Sequence, residues 1–137
     1  MNLFDHLGVV VTDLSSARAF YTACLDTIGV QLLQDNSETN HEGWLVYGAH
    51  DINGFFVVSA GLPSFWKEQS EAGKSPIHLA FVAPSKTSVD DFYRVGLASG
   101  GLDNGAPGMR PSSTSYYAAY LLDPDGKNIE AGFRSAT

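Results

Sequence analysis

The chain has 137 residues, 44% of them hydrophobic and 12% aromatic, which is enough for one compact domain with a buried core. Fifteen acidic against eight basic residues give a net charge of -7, which repels nucleic-acid phosphates and anionic membrane surfaces, so neither is an expected partner. A single cysteine, Cys24, excludes an internal disulfide and a multi-cysteine zinc site. No apolar run approaches the roughly 18 to 20 residues of a membrane span, and the first six residues lack the basic and apolar regions of a signal peptide, so a cytoplasmic protein is expected.

The segment from Phe4 to Val11 alternates as a strand, with Leu7, Val9 and Val11 on one face and Phe4, His6, Gly8 and Val10 on the other. Asp13 offers a helix N-cap, and Ala17, Phe20, Tyr21, Cys24 and Leu25 follow at helical spacing. Three further strands are expected at 29–33, 44–47 and 55–59. A short linker helix is expected over Pro63 to Gly73. From His78 the plan begins again: a strand, a helix carrying Val89, Phe92, Tyr93, Gly96 and Leu97, then strands near Leu102, at 116–122 and at 128–133. The Gly-, Pro- and Ser-rich stretch 100–115 reads as the longest irregular segment. Asp123-Pro124-Asp125-Gly126 is a turn, since proline presets its φ and glycine accepts a positive one.

The second half repeats the first at a constant offset of 72 residues. His6-Leu7 returns as His78-Leu79, Phe20-Tyr21 as Phe92-Tyr93, and Asp51-x-Asn53-Gly54 as Asp123-x-Asp125-Gly126. Two βαβββ modules follow, at about 1–62 and about 74–137, forming an α+β fold. Each half alone, at about 65 to 70 residues, would be marginally stable, so the halves are expected to share a core. This repeat, with Asp5-His6-Leu7-Gly8 in its first strand, Pro76-Ile77-His78-Leu79-Ala80-Phe81 in the second module and Asp123-Pro124-Asp125-Gly126-Lys127-Asn128-Ile129-Glu130 near its end, resembles the vicinal oxygen chelate superfamily. That group includes glyoxalase I, extradiol dioxygenases, fosfomycin-resistance proteins and bleomycin-binding proteins. The resemblance spans essentially the whole chain and is specific for fold more than for reaction.

Facing then selects candidate residues. His78 shares a strand face with Ala80 and Val82, opposite Leu79 and Phe81; Glu130 shares one with Asn128 and Gly132, opposite Ile129 and Phe133. Two histidines and a carboxylate are thus expected to project into one concavity, where imidazole nitrogen and carboxylate oxygen suit Fe(II), Mn(II), Zn(II), Ni(II) or Co(II) and leave positions open for a chelating substrate. The resemblance implies that His6, His78 and Glu130 are ligands of one divalent transition metal. Hydrogen-bonded structural histidines are the competing reading. His41 and His50 stand in polar loop contexts at no repeated position and read as surface residues, and Cys24 as inert core.

The repeat breaks at Glu130, whose offset partner is Val58. Glyoxalase I enzymes, as the resemblance implies, place a fourth ligand there that supports proton transfer, so that activity is disfavoured. Arg110 could clamp an anionic group or be a solvated loop residue. Of the tyrosines at 116, 117 and 120, a four-residue turn after Leu122 would put Tyr117 beside Glu130 and a five-residue turn would put Tyr120 there. Tyr117 is the preferred substrate-binding residue and general acid, with Glu130 as its catalytic partner. Two functions stand: a metal-dependent lyase or dioxygenase acting on a small oxygen-chelating substrate, or a protein that only binds an aromatic or hydrophobic small molecule. The resemblance implies a homodimer, with sites closed within one chain or across two.

Overall fold

The computed structural model describes residues 3–61, 77–111 and 115–135. The first module runs β1 (His6–Val11), α1 (Leu14–Asp26), β2 (Gln31–Asp35), β3 (Gly43–Ala49) and β4 (Ile52–Ala60). The second runs β5 (His78–Val82), α2 (Lys86–Ala98), β6 (Leu102–Met109), β7 (Tyr116–Leu122) and β8 (Asn128–Arg134). Each forms its own four-stranded sheet, ordered β1-β4-β3-β2 and β5-β8-β7-β6, with β1 and β5 as edge strands paired in parallel to β4 and β8. This is the expected α+β fold of two βαβββ modules. The linker helix expected over 63–73 lies outside the described residues. The segment expected to be irregular after residue 100 instead holds β6, whose pairing with β7 shifts register around Gly105. Its glycines and proline interrupt the ladder without ending it.

Both helices start where capping chemistry puts them. Asp13 accepts the amide of Ser16 at 3.2 Å, and Ser85 and Ser88 form a reciprocal capping box. Phe20 and Phe92 occupy the same position in their helices and are fully buried. One continuous core joins the modules: Phe56 of β4 meets Phe81 of β5 edge-on at 5.3 Å. Phe20 of α1 lies against Gly96 and Gly101, and a Cβ on Gly96 would overlap Leu121. Glycine there permits the close packing of α2 on β7 and α1.

A polar clasp accompanies this contact. Within the turn 123–127, the Asp123 carboxylate accepts the amides of Asp125 and Lys127 at 3.0 and 2.8 Å, and its other oxygen accepts the Tyr21 hydroxyl of the first module at 2.5 Å. Asp125 accepts the amide and hydroxyl of Thr12 at 3.0 and 2.5 Å. The buried Lys127 ammonium lies 3.6 Å from Asp125 and 4.0 Å from Asp123. Burial, then the charge of Asp123, drives the Tyr21 phenol far above the usual tyrosine range, so it remains a donor. Its repeat counterpart Tyr93 donates to Asp103 within its own module.

The helices cover one face of each sheet. On the other face Leu33, Trp44 and Phe55 of the first sheet are close to half exposed, and Val82 of the second is 85% exposed. No helix among the described residues is long and apolar enough to cross a membrane. Tyr21→Phe keeps the ring and removes the donor to a buried carboxylate, so it should cost about 1 to 3 kcal/mol in urea unfolding. A change below about 0.5 kcal/mol, the range of an ordinary surface substitution, would mean that Lys127 and the turn amides satisfy Asp123 without the first module.

Candidate functional site

The uncovered face of the second sheet gathers six side chains. His78 opens β5, and Glu130 on β8 pairs with Ala80, two residues further along β5 and therefore on the same face. Nε2 of His78 lies 2.8 Å from Oε1 of Glu130. The Tyr116 hydroxyl donates to the other carboxylate oxygen. The Glu130 side chain is 5% exposed and that of His78 is 48% exposed, so a buried carboxylate is reached through a half-open imidazole. A carboxylate this buried is tolerated because both oxygens have partners. Burial and then the hydrogen bond to Glu130 push the Tyr116 phenol well above its ordinary range, holding it as a donor at neutral pH.

Tyr120 stands directly across from Glu130 in the β7–β8 register, its ring 6.2 Å from that of His78. The Arg110 guanidinium lies over the Tyr120 ring at 4.5 Å and donates to the carbonyls of Ala106 and Ala118. The Arg134 guanidinium lies over the Tyr116 ring at 4.1 Å. Gly132 makes this possible: a Cβ there would overlap the Tyr116 hydroxyl and ring.

Three expectations change. Tyr117 does not face Glu130; it pairs with Phe133, and its hydroxyl donates to Asp90 of α2 at 2.6 Å. The turn between Leu122 and Asn128 has five residues, which puts Tyr120 in the place expected of Tyr117. Val58 is not the counterpart of Glu130 either. Gly8, the offset partner of Ala80, pairs with Val57, while Val58 is fully buried in the core. The first module has one residue fewer between β1 and β4, which slips β4 by one and exchanges its faces. The position remains apolar. Third, His6 does not converge on His78 and Glu130 as a third donor within the described residues of one chain. His6 lies on the other sheet, beside Asp5 at 2.7 Å, and among the described residues no three His, Cys, Asp or Glu side chains converge as a metal would need.

His41 and His50 are exposed, and Cys24 is buried with its thiol pushed far up by desolvation. Tyr116 was the residue sequence reasoning passed over. Strand alternation gives it: Tyr116 and Tyr120 share a face, so the choice of Tyr120 carries Tyr116 with it. Gly132→Ala should expel the Tyr116 ring, break its bond to Glu130 and cost about 1 to 3 kcal/mol. A crystal structure of the variant checks this, and an unmoved Tyr116 would refute the cradle.

The family model described as the Glyoxalase/Bleomycin resistance protein/Dioxygenase superfamily matches residues 3–131. A glyoxalase/bleomycin resistance protein from Albidiferax ferrireducens T118 is 30% identical, with a TM-score of 0.73, over 98% of this chain and 100% of that one. A glyoxalase-related enzyme from Fulvimarina pelagi is 17% identical with a TM-score of 0.70, over 98% and 89% of the two chains. TnmS3, an antibiotic binding protein from Streptomyces sp. CB03234, is 22% identical with a TM-score of 0.64, over 98% of both chains. The last two likenesses are of fold. No curated protein matches the chain. With a family model matched over nearly its whole length and a 30% identical structure covered end to end, the chain belongs to the Glyoxalase/Bleomycin resistance protein/Dioxygenase superfamily.

Proposed function

We propose that the protein is a homodimeric, divalent-metal-dependent enzyme acting on a small molecule that presents adjacent oxygens. The observation that carries this reading is Glu130: a buried carboxylate on an otherwise uncovered sheet face, held between the His78 imidazole and the Tyr116 phenol. In kind, the pair suits a borderline transition metal. In number, one chain falls short of the three protein donors of an open catalytic site, since no third donor joins the pair among the described residues. His6 opens β1 as His78 opens β5 and is exposed, so a second copy docking its first sheet over this face would supply the missing nitrogen. The exposed Leu33, Trp44 and Phe55 make that face costly to leave in water.

A metal bound there would act as a Lewis acid on the substrate oxygens. The chain's own groups set the surroundings: Glu130 is the acceptor for a proton, Tyr116 a phenol poised to donate one, and Tyr120 with its stacked Arg110 forms a wall. Glyoxalase I chemistry is disfavoured, because the first module offers Val57 where a second carboxylate would stand. A second reading, a protein that only binds an aromatic or hydrophobic small molecule, is supported by the exposed Trp44 and Phe55 and by the likeness in fold to an antibiotic binding protein.

Metal content after chelation and reloading tests the proposal. Glu130→Gln and His6→Ala should each lose more than the about 10- to 100-fold in affinity that removal of an outer-shell partner costs. Coexpression of the two variants should restore about a quarter of the wild-type metal if sites cross chains, since half of randomly paired dimers carry one intact site of two. Wild-type metal content in Glu130→Gln would reject the triad and leave the binding-protein reading.

A further inference from the structure

Every base on this acidic chain would be expected to sit beside an acid, but only half of the six described lysines and arginines do. Arg18 pairs with Asp35, Arg94 with Asp91, and Lys127 lies between Asp123 and Asp125. Among the described residues Lys86, Arg110 and Arg134 have no carboxylate partner; Lys86 lies over Tyr117 on the helix side, while both arginines lie on tyrosine rings of the uncovered sheet face. With Glu130 that cluster holds two positive charges against one negative, in a chain whose net charge is -7. Such a local reversal attracts anions to this face rather than to the rest of the surface.

The two arginines differ in what they have left to give. One Arg110 terminal nitrogen is committed to the Ala106 and Ala118 carbonyls, and its Nε is buried without a hydrogen bond, so Arg110 secures the end of β6 against β7. Arg134 is exposed, and its guanidinium is held on the Tyr116 ring. Stacking orders the plane while leaving its N–H edge for a carboxylate, so less side-chain freedom is lost on binding. Beside it is a recess of ≈ 440 Å³ lined by Ala80, Val82, Pro84, Tyr116, Gly132 and Arg134 among others. Its surface is mostly hydrocarbon with one guanidinium at the edge, and Tyr116 forms the partition between the recess and Glu130.

We infer that this recess is a subsite for a small organic acid, with its carboxylate on Arg134 and its apolar body against Ala80, Val82 and Pro84. The inference names a substrate class for the face proposed above and rests on that face being the one that meets substrate. It needs no metal. A neutral molecule of the same shape would leave Arg134 unpaired, so charge selects at this point and shape alone does not.

Benzoate is the probe, with benzamide as its uncharged counterpart. The full chain, labelled with ¹⁵N, is titrated with each at low ionic strength and followed by amide shifts. Benzoate should give saturable shifts centred on Tyr116, Gly132 and Arg134. Arg134→Gln should weaken it by about tenfold or more, the loss of a charge-assisted hydrogen bond, and benzamide should be weaker by a similar factor. Arg94→Gln, which removes a surface arginine already paired with Asp91, should change nothing. Equal benzoate affinity in Arg134→Gln, equal affinity for benzamide, or no saturable shift at those residues would overturn the subsite. Metal loading of Arg134→Gln, measured alongside, separates the two readings. Loss of benzoate with metal retained supports the subsite, while a chain that takes up no metal yet binds benzoate through Arg134 rejects the metal proposal alone.

Discussion

The turn from Asp123 to Lys127 is the constraint on which the rest of this structure depends. Its five residues set the pairing of β7 with β8, and that pairing puts Tyr120 and Tyr116 on the face of Glu130. The same turn is clasped by Tyr21 and Thr12 of the first module, so the element that orders the site also fixes one module against the other. Burying two carboxylates and an ammonium together is tolerable only if their lone pairs and protons are met, and here backbone amides, a phenol and a threonine meet most of them. Apolar replacements of buried ion pairs are often as stable, but one here would not specify which residues must meet. The clasp therefore contributes to uniqueness of docking more than to net stability.

Much of this was legible in the chain. The offset of 72 residues fixed the order of elements, and helical spacing identified Phe20 and Phe92 as equivalent core positions, because a repeated apolar stripe has one way to pack. Alternation also brought His78 and Glu130 to one face, since both belong to one sheet joined by a parallel register. What failed was parity. An offset counted along the sequence carries no record of the single residue by which the modules differ between their first and last strands, and in a strand one residue exchanges the faces. Val58 was expected where Val57 stands because of that residue, and Tyr117 where Tyr120 stands because the turn after Leu122 has five residues and not four. The β6 strand was obscured by its own composition, as Gly105, Pro107 and Gly108 read as loop while the register shifts around them keep a ladder. How two sheets that share no hydrogen bonds are placed is not written in either periodicity, so the separation of His6 from His78 and Glu130 could not be read at all.

That separation changes the meaning of the donor set. Within one chain the repeat makes two equivalent half-sites: a histidine beside an apolar strand in the first module, and a histidine beside a carboxylate in the second. Only the second half-site holds a buried carboxylate, since Asp5 beside His6 is exposed. On the proposed reading the first module contributes one nitrogen and a hydrophobic cover, while the second contributes the chemistry. Loss of the carboxylate from the first module is then a division of labour between modules, and it leaves the apolar face intact for docking.

Gly132 shows what this arrangement requires locally. A strand interior usually favours a side chain that packs, and glycine weakens the ladder it sits in. Here a side chain would occupy the volume of the Tyr116 ring, which crosses Gly132 to reach Glu130 and carries Arg134 on its outer face. One missing Cβ thereby aligns a carboxylate, a phenol and a guanidinium in sequence from the buried interior to the exposed edge. The order matters electrostatically. The phenol separates the negative from the positive group, so neither neutralises the other by direct contact, and each keeps capacity to engage a molecule entering from the open side. A direct Arg–Glu pair at the same place would satisfy both charges and leave the face with little to offer a ligand.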